Sequence, residues 1–219
     1  MEQITCEQNE KLSLYARMVY EYNQVKNLTG FRTVDEIYKN LVEQSIRDLT
    51  VYNVPRGTLI ADLGSGNGVP GIVLSVLFPE YRYLLVDSNE KKCAFLCRVV
   101  ADLALPHVSV YNGRAEEASS RYRNRCGIVV SRAFGPVCYS LEFGLCMLQE
   151  GGHLYVYSNK TSRSLSDEMM RFAADLGAAA DTPFFADGIA FRKVAHTPEE
   201  YPRKFPVIKR FAARTAEFK

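Results

Sequence analysis

Ten consecutive residues, Asp62-Leu63-Gly64-Ser65-Gly66-Asn67-Gly68-Val69-Pro70-Gly71, restrict this chain more than any other stretch. An apolar run, Leu59–Leu63, leads into them, and a helix-compatible run at 72–77 leads out. Strand, glycine turn and helix in that order is how an open α/β sheet presents a ligand beyond the carboxyl ends of its strands. The glycines leave no Cβ where a ligand must come close. Pro70 suits the first turn of a helix, where a missing N–H costs nothing.

The chain around this turn alternates between strand and helix patterns. Residues 6–50 read as two or three helices, with Leu12, Tyr15, Val19 and Tyr22 forming an apolar stripe. Thr33 and Glu36 fit a capping box ahead of Ile37, Leu41 and Ile46. Val54-Pro55-Arg56-Gly57 marks the boundary, so a helical cap is expected over 1–55 and a sheet domain over 56–219, as one structural unit. Strands are expected at about 58–63, 81–87, 108–111, 128–132 and 153–157, with helices at about 70–78, 89–104, 137–148 and 165–176. Asp187-Gly188, between 184–186 and 189–194, is a hairpin turn signal. A closing hairpin puts an antiparallel strand into an otherwise parallel sheet.

The glycines alone leave the ligand open. Gly66-x-Gly68-x-x-Gly71 matches a dinucleotide fingerprint. Asp62-x-Gly64-x-Gly66-x-Gly68 equally matches the first motif of S-adenosylmethionine-dependent methyltransferases. Asp87, at the end of the second strand, would take a ribose diol in either case. The terminal hairpin favours the methyltransferase sheet over a nicotinamide-dependent oxidoreductase.

Methyl transfer from a sulfonium is a direct displacement, for which a protein supplies mainly proximity and alignment. A ring nitrogen with a free lone pair, such as guanine N7, needs no base. Exocyclic amines are usually served by an Asn/Asp-Pro-Pro-aromatic segment after the fourth strand, but here that strand ends in Ser131-Arg132-Ala133-Phe134. The six cysteines show no CxxC pair and read as buried free thiols of a reducing cytosol. Neither Cys126 nor Cys138 has the Pro-Cys context of a nucleophile, and the three histidines are scattered. No metal spacing, apolar membrane span or secretory leader is visible, so a cytoplasmic protein is expected. Net charge is only +2, yet residues 201–219 carry six Lys/Arg against one acid, a local patch able to hold phosphates.

Six ordered segments resemble the bacterial glucose-inhibited division protein B family, the ribosomal small-subunit methyltransferase G enzymes. They are Tyr22-Asn23 with Asn27-Leu28-Thr29, the run from Asp62 to Gly71, and Asp87-Ser88 with Lys91-Lys92 and Phe95-Leu96. The others are Gly113-Arg114-Ala115-Glu116-Glu117, Ser131-Arg132-Ala133-Phe134, and Thr197-Pro198 with Tyr201-Pro202-Arg203-Lys204. The resemblance implies a class I S-adenosylmethionine-dependent methyltransferase with a Rossmann-like sheet, a terminal antiparallel hairpin and an N-terminal helical cap. It implies transfer to N7 of one guanine in small-subunit (16S) ribosomal RNA, naked or in a ribonucleoprotein, leaving S-adenosylhomocysteine.

The resemblance also implies roles by position. Gly64, Gly66 and Val69 would line the methionine and sulfonium side, Asp87 and Ser88 the ribose, and Ala115 and Glu116 the adenine. Arg132 would sit where cofactor and RNA meet and position the reaction. Lys91, Lys92, Arg114, Arg203 and Lys204 would contact RNA. Residues 40–45 and 205–209 depart from the usual pattern, which carries a His-Phe-Leu-Asp-Ser-Leu-like segment and a Gly-x-Pro-x-Lys stretch. The alternatives are a methyltransferase of the same fold acting on another RNA or a small molecule, and a catalytically silent RNA-binding relative.

Overall fold

The glycine turn sits at the point where the sheet reverses its winding. In the computed structural model, which describes residues 4–47, 54–157, 165–181 and 188–215, the strands are β1 (Leu59–Leu63), β2 (Arg82–Asp87), β3 (Val108–Asn112), β4 (Cys126–Arg132), β5 (Leu148–Tyr157), β6 (Ala178–Asp181) and β7 (Gly188–Lys193). They form one seven-stranded sheet in the order β3-β2-β1-β4-β5-β7-β6. The chain winds outward from β1 through β2 to β3, then crosses back to β4 and β5 on the other side. The crevice beyond the carboxyl ends of β1 and β4 is therefore the switch point, where open α/β sheets bind ligands. Parallel register holds from β3 to β5, and β7 runs antiparallel to both β5 and β6.

Before the sheet come α1 (Cys6–Asn23), α2 (Val34–Ile37), a π-helical turn (Tyr38–Glu43) and α3 (Gln44–Arg47). A capping box between Thr5 and Gln8 starts α1, and the expected one between Thr33 and Glu36 starts α2. Leu12, Tyr15 and Val19 of α1 are buried in the same apolar cluster as Ile37, Ile60, Ile72 and Leu96, so the N-terminal helices share a core with the sheet. Tyr22 lies at the rim, its ring 4.8 Å from that of Phe95 and its hydroxyl donating to the Lys91 carbonyl at 3.0 Å.

The connecting helices are α4 (Gly71–Leu77), α5 (Glu90–Asp102), α6 (Ala115–Arg121), α7 (Val137–Met147) and α8 (Asp167–Asp175), and α9 (Phe205–Thr215) follows β7. Asn89 caps α5 by accepting from the N–H groups of Lys91 and Lys92. Pro70 precedes α4 as its cap residue instead of opening its first turn. The antiparallel hairpin is present, but its first strand is Ala178–Asp181; the expected strand at 184–186 and Asp187 of the turn lie outside the described residues. Helices α6 and α9 were not expected. Ala115–Arg121 lacks an apolar period, and Pro206 obscures the spacing of Phe205, Ile208 and Phe211.

Candidate functional site

A cleft of about 300 Å³ opens at the carboxyl edge of the sheet. Its floor is Gly64, Val86 and Asp87, one side carries Ser88, Lys92, Gly113, Arg114, Ala115 and Glu116, and the other Ala133, Phe134, Tyr139, Phe143 and Phe205. Five segments far apart in sequence thus meet there. Asp87 organises the floor: Oδ2 accepts from the Gly66 N–H and Oδ1 from the Asn89 N–H, each at 2.8 Å. The carboxylate closes the glycine turn and keeps further lone pairs for a ligand's hydroxyls. Gly64 has φ +72°, and a Cβ there would lie 2.4 Å from Cδ2 of Phe134. Only glycine lets the turn and the ring approach so closely.

The wall opposite is aromatic. Phe134 meets Tyr139 and Phe143 edge to face, and Tyr139 leans on Phe205 with centroids 5.5 Å apart. Arg114 stacks over Phe205 at 4.7 Å and reaches Glu116 at 3.5 Å. Such a wall suits the flat face of a purine, and the mixed acid and base at its rim suit polar ring edges. Tyr139 and Phe205 were missed in the sequence. The spacing of Tyr139 and Phe143 on one helix was the available signal; nothing local announced that Phe205 returns to β2 and β3.

A second polar group lies beneath the turn. Asp62 is buried; its Oδ2 accepts from the Gly71 N–H at 2.9 Å, and its Oδ1 has no partner among the described residues. Burial pushes its pKa up to about 7, against the lowering effect of that N–H. Tyr15 of α1 donates to the Asn67 carbonyl at 2.9 Å, tying the helical cap to the turn. Arg132, at the end of β4, turns away from the cleft toward that cap. Its guanidinium donates to Gln44 Oε1 at 2.7 Å and to Ser45 Oγ at 3.3 Å.

Gly64, Asp87, Ser88, Lys92, Arg114, Ala115 and Glu116 therefore come together at the cleft. Gly66 joins them through its bond to Asp87. Val69 does not: its side chain is buried in the core beneath α1. Lys91 and Lys204 are exposed outside the cleft. Arg203 has another occupation. Its guanidinium pairs with the buried Glu142 at 2.6 Å and stacks near the rings of Phe172, Tyr201 and Phe211, so it is held as part of the fold.

The described lining of the cleft holds no cysteine or histidine. Cys93, Cys126, Cys138 and Cys146 are buried, while Cys6 and Cys97 are exposed, contrary to the expectation for all six. Burial raises Cys93 and Cys138 to about 11 and Cys126 and Cys146 to about 12, so these four stay thiols at neutral pH. Among the described residues, no group of three His, Cys, Asp or Glu is placed to hold a metal, and no helix is long and apolar enough to cross a membrane.

The reserved space at Gly64, the acid at the end of β2 and the unpartnered Asp62 oxygen all fit a cofactor bearing a ribose, a purine and a charged tail. With the strand order and the antiparallel β7, they place the chain in the class of S-adenosylmethionine-dependent methyltransferases. A TYW2 enzyme of M. jannaschii, solved with AdoMet, shares this fold at TM-score 0.54 and 14% identity, over 70% of this chain and 76% of that one. Residues 8–183 match the family described as "GidB: rRNA small subunit methyltransferase G", and the chain belongs to that family. The "Ribosomal RNA small subunit methyltransferase G" of Desulfitobacterium hafniense is 32% identical over 92% of this chain and 88% of its own length. Its counterpart from Lachnoclostridium phytofermentans is 30% identical over 93% and 91%.

Proposed function

We propose that the chain transfers the methyl group of S-adenosylmethionine to N7 of one guanine in small-subunit ribosomal RNA, in the cytoplasm. The family match over residues 8–183, with its reference to that RNA, carries the reading. The cofactor supplies a methyl group on a sulfonium, which N7 can displace directly. The methyl carbon gains a bond to N7 as its bond to sulfur breaks, the positive charge passes to the purine, and no proton moves. A base is therefore not required.

The chain's own work is then binding and alignment. Asp87 accepts from the ribose hydroxyls, with Ser88 beside it. The backbone of Gly64 and Gly66 passes close to the methionine portion, and Ala115, Glu116 and the aromatic wall take the adenine. Arg132, at the end of β4 and bonded to Gln44 and Ser45 of the helical cap, would meet the RNA on that side. Lys91, Lys92, Arg114 and Lys204 give phosphate contacts around the mouth.

The test is to supply the purified protein and labelled S-adenosylmethionine with small-subunit RNA from a strain lacking this gene, as naked RNA and as assembled subunits. One new N7-methylguanine in either substrate, with micromolar or tighter S-adenosylhomocysteine binding by calorimetry, is the expected result. Cofactor binding without methylation of either substrate would overturn the RNA assignment. Binding of a nicotinamide dinucleotide alone would overturn the cofactor assignment.

A further inference from the structure

The far edge of the sheet carries a second cavity, wider than the cleft, at about 580 Å³ against about 300 Å³. The first residues of three strands line it: Leu59 of β1, Arg82 of β2 and Val108 of β3. Arg125, the residue before β4, joins them. The cavity therefore lies at the amino edge, opposite the edge where open α/β sheets bind their cofactor. The six residues of β2 separate it from the cleft, about 20 Å at 3.3 Å per residue.

This groove is cationic. Arg82 and Arg125 are exposed, and neither pairs with a carboxylate among the described residues. Its described lining holds no Asp or Glu. Arg98, Arg114 and Arg203, by contrast, each have an acid partner. The groove is also held in shape. Arg82 Nε donates to the Gly57 carbonyl at 3.0 Å, which fixes the guanidinium and leaves its two terminal amino groups for a ligand. His107 donates through Nε2 to the Ser75 carbonyl at 3.0 Å, and Ser109 Oγ donates to the Tyr83 carbonyl at 3.0 Å. The Arg125 backbone N–H bonds the Met147 carbonyl at 2.9 Å. Two guanidiniums lining one cavity with no acid between them attract an anion, and the planar fork of each suits phosphate oxygens.

We infer that this groove is a second docking site for the RNA substrate, with Arg82 and Arg125 each taking a backbone phosphate. The inference rests on the proposed methyltransferase reading. A ribosomal RNA is long enough to meet both edges of the sheet at once, so a grip at the amino edge adds affinity and fixes the register of the strand offered to the cleft. Neither arginine touches a reacting atom.

Three variants of the full chain test it. Arg82→Gln and Arg125→Gln each remove one groove charge; Arg171→Gln removes an exposed arginine from α8 and controls for charge alone. Each groove variant is expected to lower the slope of log K for small-subunit RNA against log salt by about 0.7–0.9, the loss of one phosphate contact. The KM for RNA should rise at least threefold while kcat stays within twofold. Affinity for S-adenosylhomocysteine should stay within twofold, which also reports an intact fold. Arg82→Lys should restore most of the slope, and Arg171→Gln should keep the parent value. Parent slopes in both groove variants, in a protein that still methylates the RNA, would overturn this inference alone. An equal loss of slope in Arg171→Gln would do so too, by making the effect one of diffuse charge. Micromolar binding of adenosine monophosphate that Arg82→Gln abolishes, with RNA slopes unchanged, would make the groove a small-nucleotide site instead. A parent protein that binds no small-subunit RNA would overturn the substrate reading and this inference together.

Discussion

Oε2 of Glu142, a side chain with no solvent exposure, accepts from Arg203 Nη2 at 2.6 Å and from Nε at 2.9 Å. The Arg203 backbone N–H bonds the other carboxylate oxygen. The pair therefore locks the segment between β7 and α9 onto α7, two residues before Phe205 joins the cleft wall. Arg123 fastens the same segment by donating to the carbonyls of Thr197, Pro198 and Tyr201.

Removing one member of this pair leaves the other charged and uncompensated. Arg203→Ala is expected to cost about 3 kcal/mol of stability, within the range for broken buried pairs, as read from urea unfolding. Glu142→Gln should cost less, because a neutral amide keeps part of the hydrogen bonding. If Arg203→Ala weakened RNA binding with no loss of stability, the residue would be a surface contact after all.

Gly64→Ala should cripple cofactor binding. The residue would have to hold φ +72° and push back the Phe134 ring, whose Cδ2 lies 2.4 Å from the new Cβ. The left-handed backbone alone costs an L-residue about 1–2 kcal/mol. Calorimetry with S-adenosylhomocysteine should show at least a tenfold loss of affinity, and trimming Phe134 to Leu should recover only part of it.

Asp87→Asn replaces an acceptor of two backbone N–H groups with a side chain that presents an NH2 to one of them. The 2.8 Å bonds to Gly66 and Asn89 cannot both survive. A cost of about 1–3 kcal/mol is expected, divided between folding and cofactor affinity. Thermal unfolding with and without S-adenosylhomocysteine separates the shares. An unchanged ligand-induced shift would remove Asp87 from the binding site.

Asp62 makes stability depend on pH. Its carboxyl is raised from 3.8 to about 7 by burial, so the folded state binds more protons than the unfolded state across that window. The associated stability is fully present below about pH 4 and is lost as pH rises through 7. Asp62→Asn should flatten this decline, gaining on the parent protein by up to about 4 kcal/mol between those limits. Parallel stability curves for parent and variant from pH 4 to 8 would disprove the assignment.

Much of the sheet was legible because parallel strands buried on both faces read as apolar runs; β1, β2 and β4 are of that kind. β6 was not, since Ala178-Ala179-Ala180-Asp181 has no strand character of its own and becomes a strand by pairing with β7. In the site, the glycine turn and Asp87 announced themselves by spacing. The pairing of Arg203 with Glu142 was not legible, because a basic patch in sequence says nothing about which cation faces a buried acid. No residue spacing revealed the π-helical turn at Tyr38–Glu43.

The cleft joins residues as remote as Gly64 and Phe205. Whatever occupies it works as a noncovalent crosslink, tying the first strand's turn to the last helix. Unfolding must then release the ligand, so free cofactor at a hundred times its dissociation constant would add about 2.7 kcal/mol to stability. The lifetime of the chain in the cell would in that way follow the supply of its own methyl donor.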